Sequence, residues 1–235
     1  PKFSQQPIKE EYLLTNSLEQ TNEYYALAKI AGIKLCQALK KQHGFNSICL
    51  MPTNLYGPGD NYHSLNSHVI PGLIKKFYEG KDNNSEFVTC WGSGTPLREF
   101  LYVDDLGDAV VFALEKWDPK AKNAPLDNNN KSLFYLNVGT GQDITIKKLT
   151  SIIASLTGFK GKVIWDKSKP DGTPKKQLNT SKINKLGWEP KIALEEGIKK
   201  TYEYIKKRGT RPFDYNINIE IDNDLTPETW KKKEI

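Results

Sequence analysis

Two residue pairs in this chain have the types and spacing to move a proton onto an oxygen: Tyr25 with Lys29, and Tyr202 with Lys206. A four-residue offset puts each pair on one helical face. There an ammonium favours the phenolate of its neighbour, so the tyrosine can trade a proton with a bound oxygen while the lysine holds charge and a hydroxyl. With 11 Tyr and 31 Lys among 235 residues, chance alone supplies roughly one and a half such pairs, so the surrounding elements must choose between them.

Those elements differ. From Asn22 to His43 the residues Tyr25, Ala28, Ile30, Ile33, Leu35, Cys36 and Leu39 keep a helical period, and Gly44 supplies a stop. Residues 47–51 then read as a buried strand. It runs into the turn-rich stretch Pro52-Thr53-Asn54-Leu55-Tyr56-Gly57-Pro58, at the carboxyl end where open α/β sheets bind ligands. Tyr202 lies on a Lys-rich helix with no such strand after it, and Tyr202 and Lys206 are expected to form a solvated face. Further helices are expected over 71–80, 103–117, 145–157 and 194–207, and strands over 86–91, 133–138 and 162–165. Residues 118–132 read as a polar loop and 209–235 as a polar tail without a period. The alternation of strand and helix predicts an α/β fold.

Other residues carry chemistry with a plainer reading beside it. His68 precedes Pro71 and an apolar run, which places it at a helix N-terminus whose positive end resists protonation; His63 is its confounder. Arg98 is one of three arginines in a chain that otherwise uses lysine, which suits a planar fork on a phosphate or an ion pair with Glu99 or Asp104. Trp91, on a strand, reads equally as core. Asp171 and Lys176 flank Pro170-Asp171-Gly172-Thr173-Pro174, for which turn chemistry is sufficient. Gly92-Ser93-Gly94 and Gly139-Thr140-Gly141 are short glycine turns, and neither extends to the Gly-x-Gly-x-x-Gly that cradles a pyrophosphate.

Composition narrows the class. A net charge of +6 suits an anionic ligand, yet the positive residues form no long basic run, which argues against nucleic acid as the partner. Cys36, Cys49 and Cys90 are odd in number and unrelated in spacing, against both a disulfide framework and a zinc site, and point to a reducing compartment. No apolar run approaches the ~20 residues of a membrane span.

The segments Tyr25-Ala26-Leu27-Ala28-Lys29 and Pro52 to Pro58 resemble the extended short-chain dehydrogenase/reductases that act on nucleotide sugars. Asn66-Ser67-His68-Val69-Ile70-Pro71, Trp91-Gly92-Ser93-Gly94-Thr95-Pro96-Leu97-Arg98-Glu99-Phe100 and Lys169 to Lys176 make the resemblance specific to the GDP-L-fucose synthase family, in order from residue 1 to about residue 208. The resemblance implies NADPH as cofactor, and GDP-4-keto-6-deoxy-D-mannose as the substrate of a 3,5-epimerisation and a 4-reduction. It implies Tyr25, Lys29 and His68 as catalytic, and Lys29, Pro52, Thr53, Asn54, Leu55 and His68 beside the cofactor. Lys76, Trp91, Arg98, Asp171 and Lys176 would hold the substrate, with Lys76 standing where the family commonly has an arginine.

It also implies a homodimer in the cytoplasm. The end of the dinucleotide domain is expected over 1–60 and an interwoven substrate domain over 61–208. Because the family's glycine fingerprint, catalytic Ser and partner Cys precede the part matched here, the chain is expected to be the carboxyl-terminal two-thirds of such an enzyme and inactive alone. Two alternatives stay open: a nucleotide-sugar epimerase or dehydratase without the double epimerisation, and a non-catalytic fragment that keeps the GDP-sugar surface.

Overall fold

Strands and helices alternate along the chain, and each pair of parallel strands is joined by a long crossover, as parallel pairing requires. The computed structural model describes residues 3–64 and 66–208; the tail expected over 209–235 lies outside the described residues. The strands are β1 (Cys49–Pro52), β2 (Asn54–Tyr56), β3 (Phe87–Trp91), β4 (Leu97–Tyr102), β5 (Tyr135–Val138), β6 (Asp143–Thr145), β7 (Lys162–Asp166) and β8 (Lys175–Lys176). The helices are α1 (Glu23–His43), α2 (Val69–Asp82), α3 (Val103–Lys116), α4 (Ile146–Thr157), α5 (Ser181–Leu186) and α6 (Leu194–Arg208).

β1 pairs in parallel with β5, β2 with β4, and β3 with β7. β4 also takes β6 antiparallel and β8 parallel, so Arg98 stands opposite both Ile144 and Lys176. This is an α/β fold with parallel strands. Among the described residues no helix is long and apolar enough to cross a membrane.

Local chemistry sets the ends. Gly44 stops α1 and Gly158 stops α4 in the left-handed region, at φ 68° and 77°. Thr145 starts α4 by accepting the Lys148 N–H at 3.1 Å. In α2, Ile70, Leu73, Ile74 and Phe77 recur at helical spacing and are buried. They meet Leu149 and Ile153 of α4 and Ile198 and Ile205 of α6 in one core. A second core gathers Leu101, Ala109, Ala113, Leu136, Val138, Ile183 and Trp188.

Three expectations change. The stretch after β1 is not only a turn, because Asn54–Tyr56 forms a strand against β4, an element that no run of alternating residues marks. Tyr202 is buried and its hydroxyl donates to the Thr157 carbonyl at 3.3 Å, so it belongs to the core rather than to a solvated face. Ile198, Tyr202 and Ile205 carry that buried stripe; Lys206 is solvated and pairs with Glu203. Finally, the apolar residues that give α1 its helical period do not form a buried face, since none of its residues is buried. Ile33 packs against the second core, while Tyr24, Leu27 and Leu35 stand exposed.

Candidate functional site

The turn after β3 and the loop before β8 meet at one carboxylate. Asp171 accepts the Ser93 backbone N–H and the Ser93 hydroxyl, each at 2.7 Å, and Ser93 Oγ lies 2.7 Å from Thr95 Oγ1. Gly92 permits this approach. Its φ is 77°, and a Cβ there would lie 2.3 Å from Asp171 Oδ1. The two Ser93 hydrogen bonds, then the Arg98 charge, hold the Asp171 carboxyl below the usual carboxylate range.

Arg98 projects from β4 beneath that loop. Its Nη1 donates to the Leu97 carbonyl at 2.8 Å, and its Nη2 lies 3.4 Å from where a Cβ on Gly172 would stand. Loss of water lowers the Arg98 pKa, and Asp171 opposes the shift. Lys176, opposite Arg98 on β8, is likewise lowered, first by loss of water and then by the Arg98 charge. Lys76 reaches over from α2, donates to the Thr89 carbonyl at 3.1 Å and stands 5.4 Å from the Trp91 ring centroid; Lys169 Nζ is 5.8 Å from the same ring.

Trp91 is 56% exposed, which excludes the core reading. All five residues expected to hold a substrate therefore come together from α2, β3, β4, β8 and the loop before β8. Cations around an open indole suit an anion joined to a flat or ring-shaped group. Lys169 is an addition that its place in a Lys-rich turn did not mark.

Of the two ion pairs open to Arg98, no pair with Asp104 forms among the described residues, and the pair with Glu99 fails because Glu99 has its carboxylate engaged elsewhere. Its side chain is wholly buried, and it accepts the Gly141 N–H at 2.9 Å and the Leu178 N–H at 2.6 Å. Gly139 leaves the space, since a Cβ there would meet Glu99 Oε1 at 2.1 Å. The glycine turn 139–141 thus cradles a carboxylate of the chain itself. Burial pushes the Glu99 pKa up, while the N–H groups of Leu178, Gly141 and Thr140 pull it down.

The Glu99 carbonyl in turn accepts from Thr53 Oγ1 at 3.2 Å and Asn54 Nδ2 at 2.8 Å. Thr53 is buried and Leu55 half-buried against the second core, so of the stretch 52–55 Pro52 is the exposed member.

Tyr25 and Lys29 stand one turn apart on α1, both exposed, with Lys29 Nζ 5.5 Å from the Tyr25 ring centroid. Among the described residues neither the Tyr25 hydroxyl nor the Lys29 ammonium has a hydrogen-bond partner, so both are free for a ligand. His68 caps α2 with no side-chain capping bond, and its exposed imidazole influences Asp60. His63 is placed differently: its Nδ1 accepts the Asn66 N–H at 3.3 Å, and it braces the loop. Among the described residues, no hydrogen bond or ion pair joins Tyr25, Lys29 or His68 to the cluster around Arg98.

Known proteins resemble this chain in sequence and fold. The profile of the NAD dependent epimerase/dehydratase family matches residues 1–126. The probable GDP-L-fucose synthase 1 of Oryza sativa subsp. japonica is 52% identical over 87% of this chain and 58% of its own length. The GDP-L-fucose synthase of Escherichia coli (strain K12) is 48% identical over 90% of this chain and 64% of its own. Among solved structures, a GDP-6-OMe-4-keto-L-xylo-heptose reductase from C. jejuni superposes with a TM-score of 0.80 at 32% identity, over 88% of this chain and 67% of that one. A GDP-L-fucose synthetase from Naegleria fowleri bound to NADP gives 0.75 at 26%, over 88% and 63%. The chain spans roughly three-fifths of the length of the curated relatives it matches. With the family profile covering more than half of its residues, and the Tyr–Lys helix and parallel strands in place, the chain belongs to the NAD dependent epimerase/dehydratase family.

Proposed function

We propose that this chain supplies the substrate-binding part and the Tyr–Lys helix of a GDP-L-fucose synthase, which converts GDP-4-keto-6-deoxy-D-mannose to GDP-L-fucose. The observation that carries the reading is the convergence of Lys76, Trp91, Arg98, Asp171 and Lys176 from separate segments on one exposed site. Arg98, Lys76 and Lys176 bind the diphosphate, with the Arg98 fork matching phosphate oxygens. Trp91 offers a flat apolar face. Asp171 keeps unused lone pairs beyond those that Ser93 occupies and accepts hydroxyl groups of the ligand.

In the proposed chemistry a base outside the residues matched here, the partner Cys that the resemblance implies, takes the proton from a C–H bond beside the 4-ketone to leave an enolate, and a proton is added to the opposite face of the carbon, at carbons 3 and 5 in turn. His68, exposed at the head of α2, delivers that proton. NADPH, when bound, supplies the hydride that reduces carbon 4. Tyr25 gives its proton to the oxygen there, and the Lys29 charge steadies the phenolate that remains. The free, exposed Tyr25 hydroxyl and Lys29 ammonium fit the nicotinamide ribose, with Pro52 to Leu55 as the adjoining wall. The division near residue 60, the homodimer and a cytoplasmic location form part of the same proposal.

Calorimetric titration of this chain with GDP and UDP tests the reading. GDP is expected to bind at least tenfold more tightly than UDP, and Arg98→Met to weaken it at least tenfold. Equal or tighter binding of UDP, or a GDP affinity indifferent to Arg98, would overturn it.

A further inference from the structure

The glycine turn Gly139-Thr140-Gly141 has the shape of an anion nest, and the anion in it is Glu99. One residue therefore holds three segments distant in sequence. Its side chain fixes the 139–141 turn that follows β5 and the backbone of Leu178, two residues beyond Lys176. Its main-chain carbonyl fixes Thr53 and Asn54 where β1 passes into β2. Its neighbour in β4 is Arg98. Gln177 adds a second tie by donating its side-chain N–H to the Gly141 carbonyl at 2.5 Å.

We propose that Glu99 is a positioning residue that sets the cofactor-side segment 53–54 and the substrate-side segment 176–178 in one register. The names of the two sides rest on the function proposed above; the mechanical coupling does not. Both carboxylate oxygens accept backbone N–H groups and the side chain is wholly buried, so no water can replace the acceptor if it is lost. The site's polar groups could be held in place by hydrophobic packing alone. Here the geometry assigns that work to one residue: its carboxylate holds Gly141 and Leu178, its main-chain carbonyl holds Thr53 and Asn54, and the Thr53 hydroxyl also pulls the carboxyl pKa down, so a shift of the side chain is passed to all three segments.

Glu99→Gln tests this while keeping the volume. One amide N–H, of Gly141 or Leu178, then faces an NH2 group and loses its partner. Hydrogen exchange followed by mass spectrometry is expected to speed up by about tenfold in both peptides 52–56 and 175–179, with residues 146–157 of α4 unchanged. An effect confined to 139–141 would overturn the coupling.

A binding cycle gives the second readout. Glu99→Gln should weaken GDP about tenfold, and should add little to Lys176→Met, because it acts through that lysine's segment. Full additivity, or unchanged GDP affinity, would show a residue that serves stability alone. Should the wild-type chain fail to bind GDP, the proposed function falls, and the exchange result still decides the positioning role. Glu99→Asp, which keeps the charge but shortens the reach, should show the same coupled exchange at smaller amplitude.

Discussion

Replacing Gly92 by alanine should open the substrate site without unfolding the chain. Gly92 sits at φ 77°, and its Cβ would stand 2.3 Å from Asp171 Oδ1, far inside contact distance. A left-handed alanine costs about 1–2 kcal/mol, and a hydrogen bond to a charged partner contributes about 1.5–3 kcal/mol when fully formed. Asp171 is exposed, so the Ser93 bonds stand at the low end of that range. The carboxylate can relieve the overlap by leaving Ser93, and the strain then falls on the loop. A net bias of about 2 kcal/mol toward the open loop leaves only a few per cent of molecules competent to bind, and weakens GDP about 30-fold. The matched control is Gly172→Ala. There φ is 71° but the nearest atom is Arg98 Nη2 at 3.4 Å, so strain acts without the clash and the loss should stay under about tenfold. Calorimetry reads affinity, and thermal melting checks the fold. A Gly92→Ala chain that binds GDP within threefold of wild type would refute the idea that Asp171 must close on Ser93.

In a chimera completed with the amino-terminal segment of the Escherichia coli relative, Tyr25→Phe should cut reduction about 10²–10⁴-fold. In the same chimera His68→Asn should instead stop deuterium entry at carbons 3 and 5 by NMR; normal incorporation there would make His68 structural, and His63→Asn is the control. The Cys49 thiol is pushed up to about 11, first by burial and then by Cys36 beside it. Because the unfolded thiol ionises near 9.0, stability should be intact below that value and fall as pH rises from there toward 11. Urea titrations should show a steeper loss for wild type than for Cys49→Ala, and parallel curves would refute the assignment. Amide exchange should be fast through α1 and slow through α4, since α1 buries no residue and α4 buries Leu149, Thr150, Ile153 and Thr157; equal protection would contradict this.

How far the sequence was readable depended on whether a signal was local. Helix ends were, because Gly44, Gly158 and Thr145 act within a turn of themselves, and α1, α3, α4 and α6 fall within two residues of expectation. The short strands β2, β4, β6 and β8 were not. Each is defined by a partner far along the chain, and Leu97–Tyr102 shows no alternation of burial because residues on both of its faces are covered, with Phe100 to Tyr102 buried. Tyr202 was misjudged because the lysines around it outweighed its spacing from Ile198 and Ile205. The meeting of Arg98 with Asp171 was legible only through family resemblance, since nothing in their spacing implies it. Glu99 was missed altogether. Its one visible trace was a glycine turn of the wrong length for a pyrophosphate, and the physical reason for that turn is a carboxylate some forty residues earlier.

These placements also divide the chain by stability. The residues around Arg98 are built on β3, β4 and β8, and these are backed by α2, α4 and α6 through a core whose members are almost all inaccessible. That part carries its own support, which is why the proposed GDP binding is tested on this chain alone. Tyr25 and Lys29 instead ride on a helix whose apolar residues Leu27 and Leu35 face outward, held by half-buried contacts such as Ile33. Most of a helix's stability in a protein comes from packing of one face, and α1 buries none of its residues, so it is held less firmly than α2 or α4. Proton transfer is sensitive to displacements that binding tolerates. The Tyr–Lys pair is therefore the less firmly held of the two, the proposed diphosphate site the more, and a measurement of one says nothing about the competence of the other.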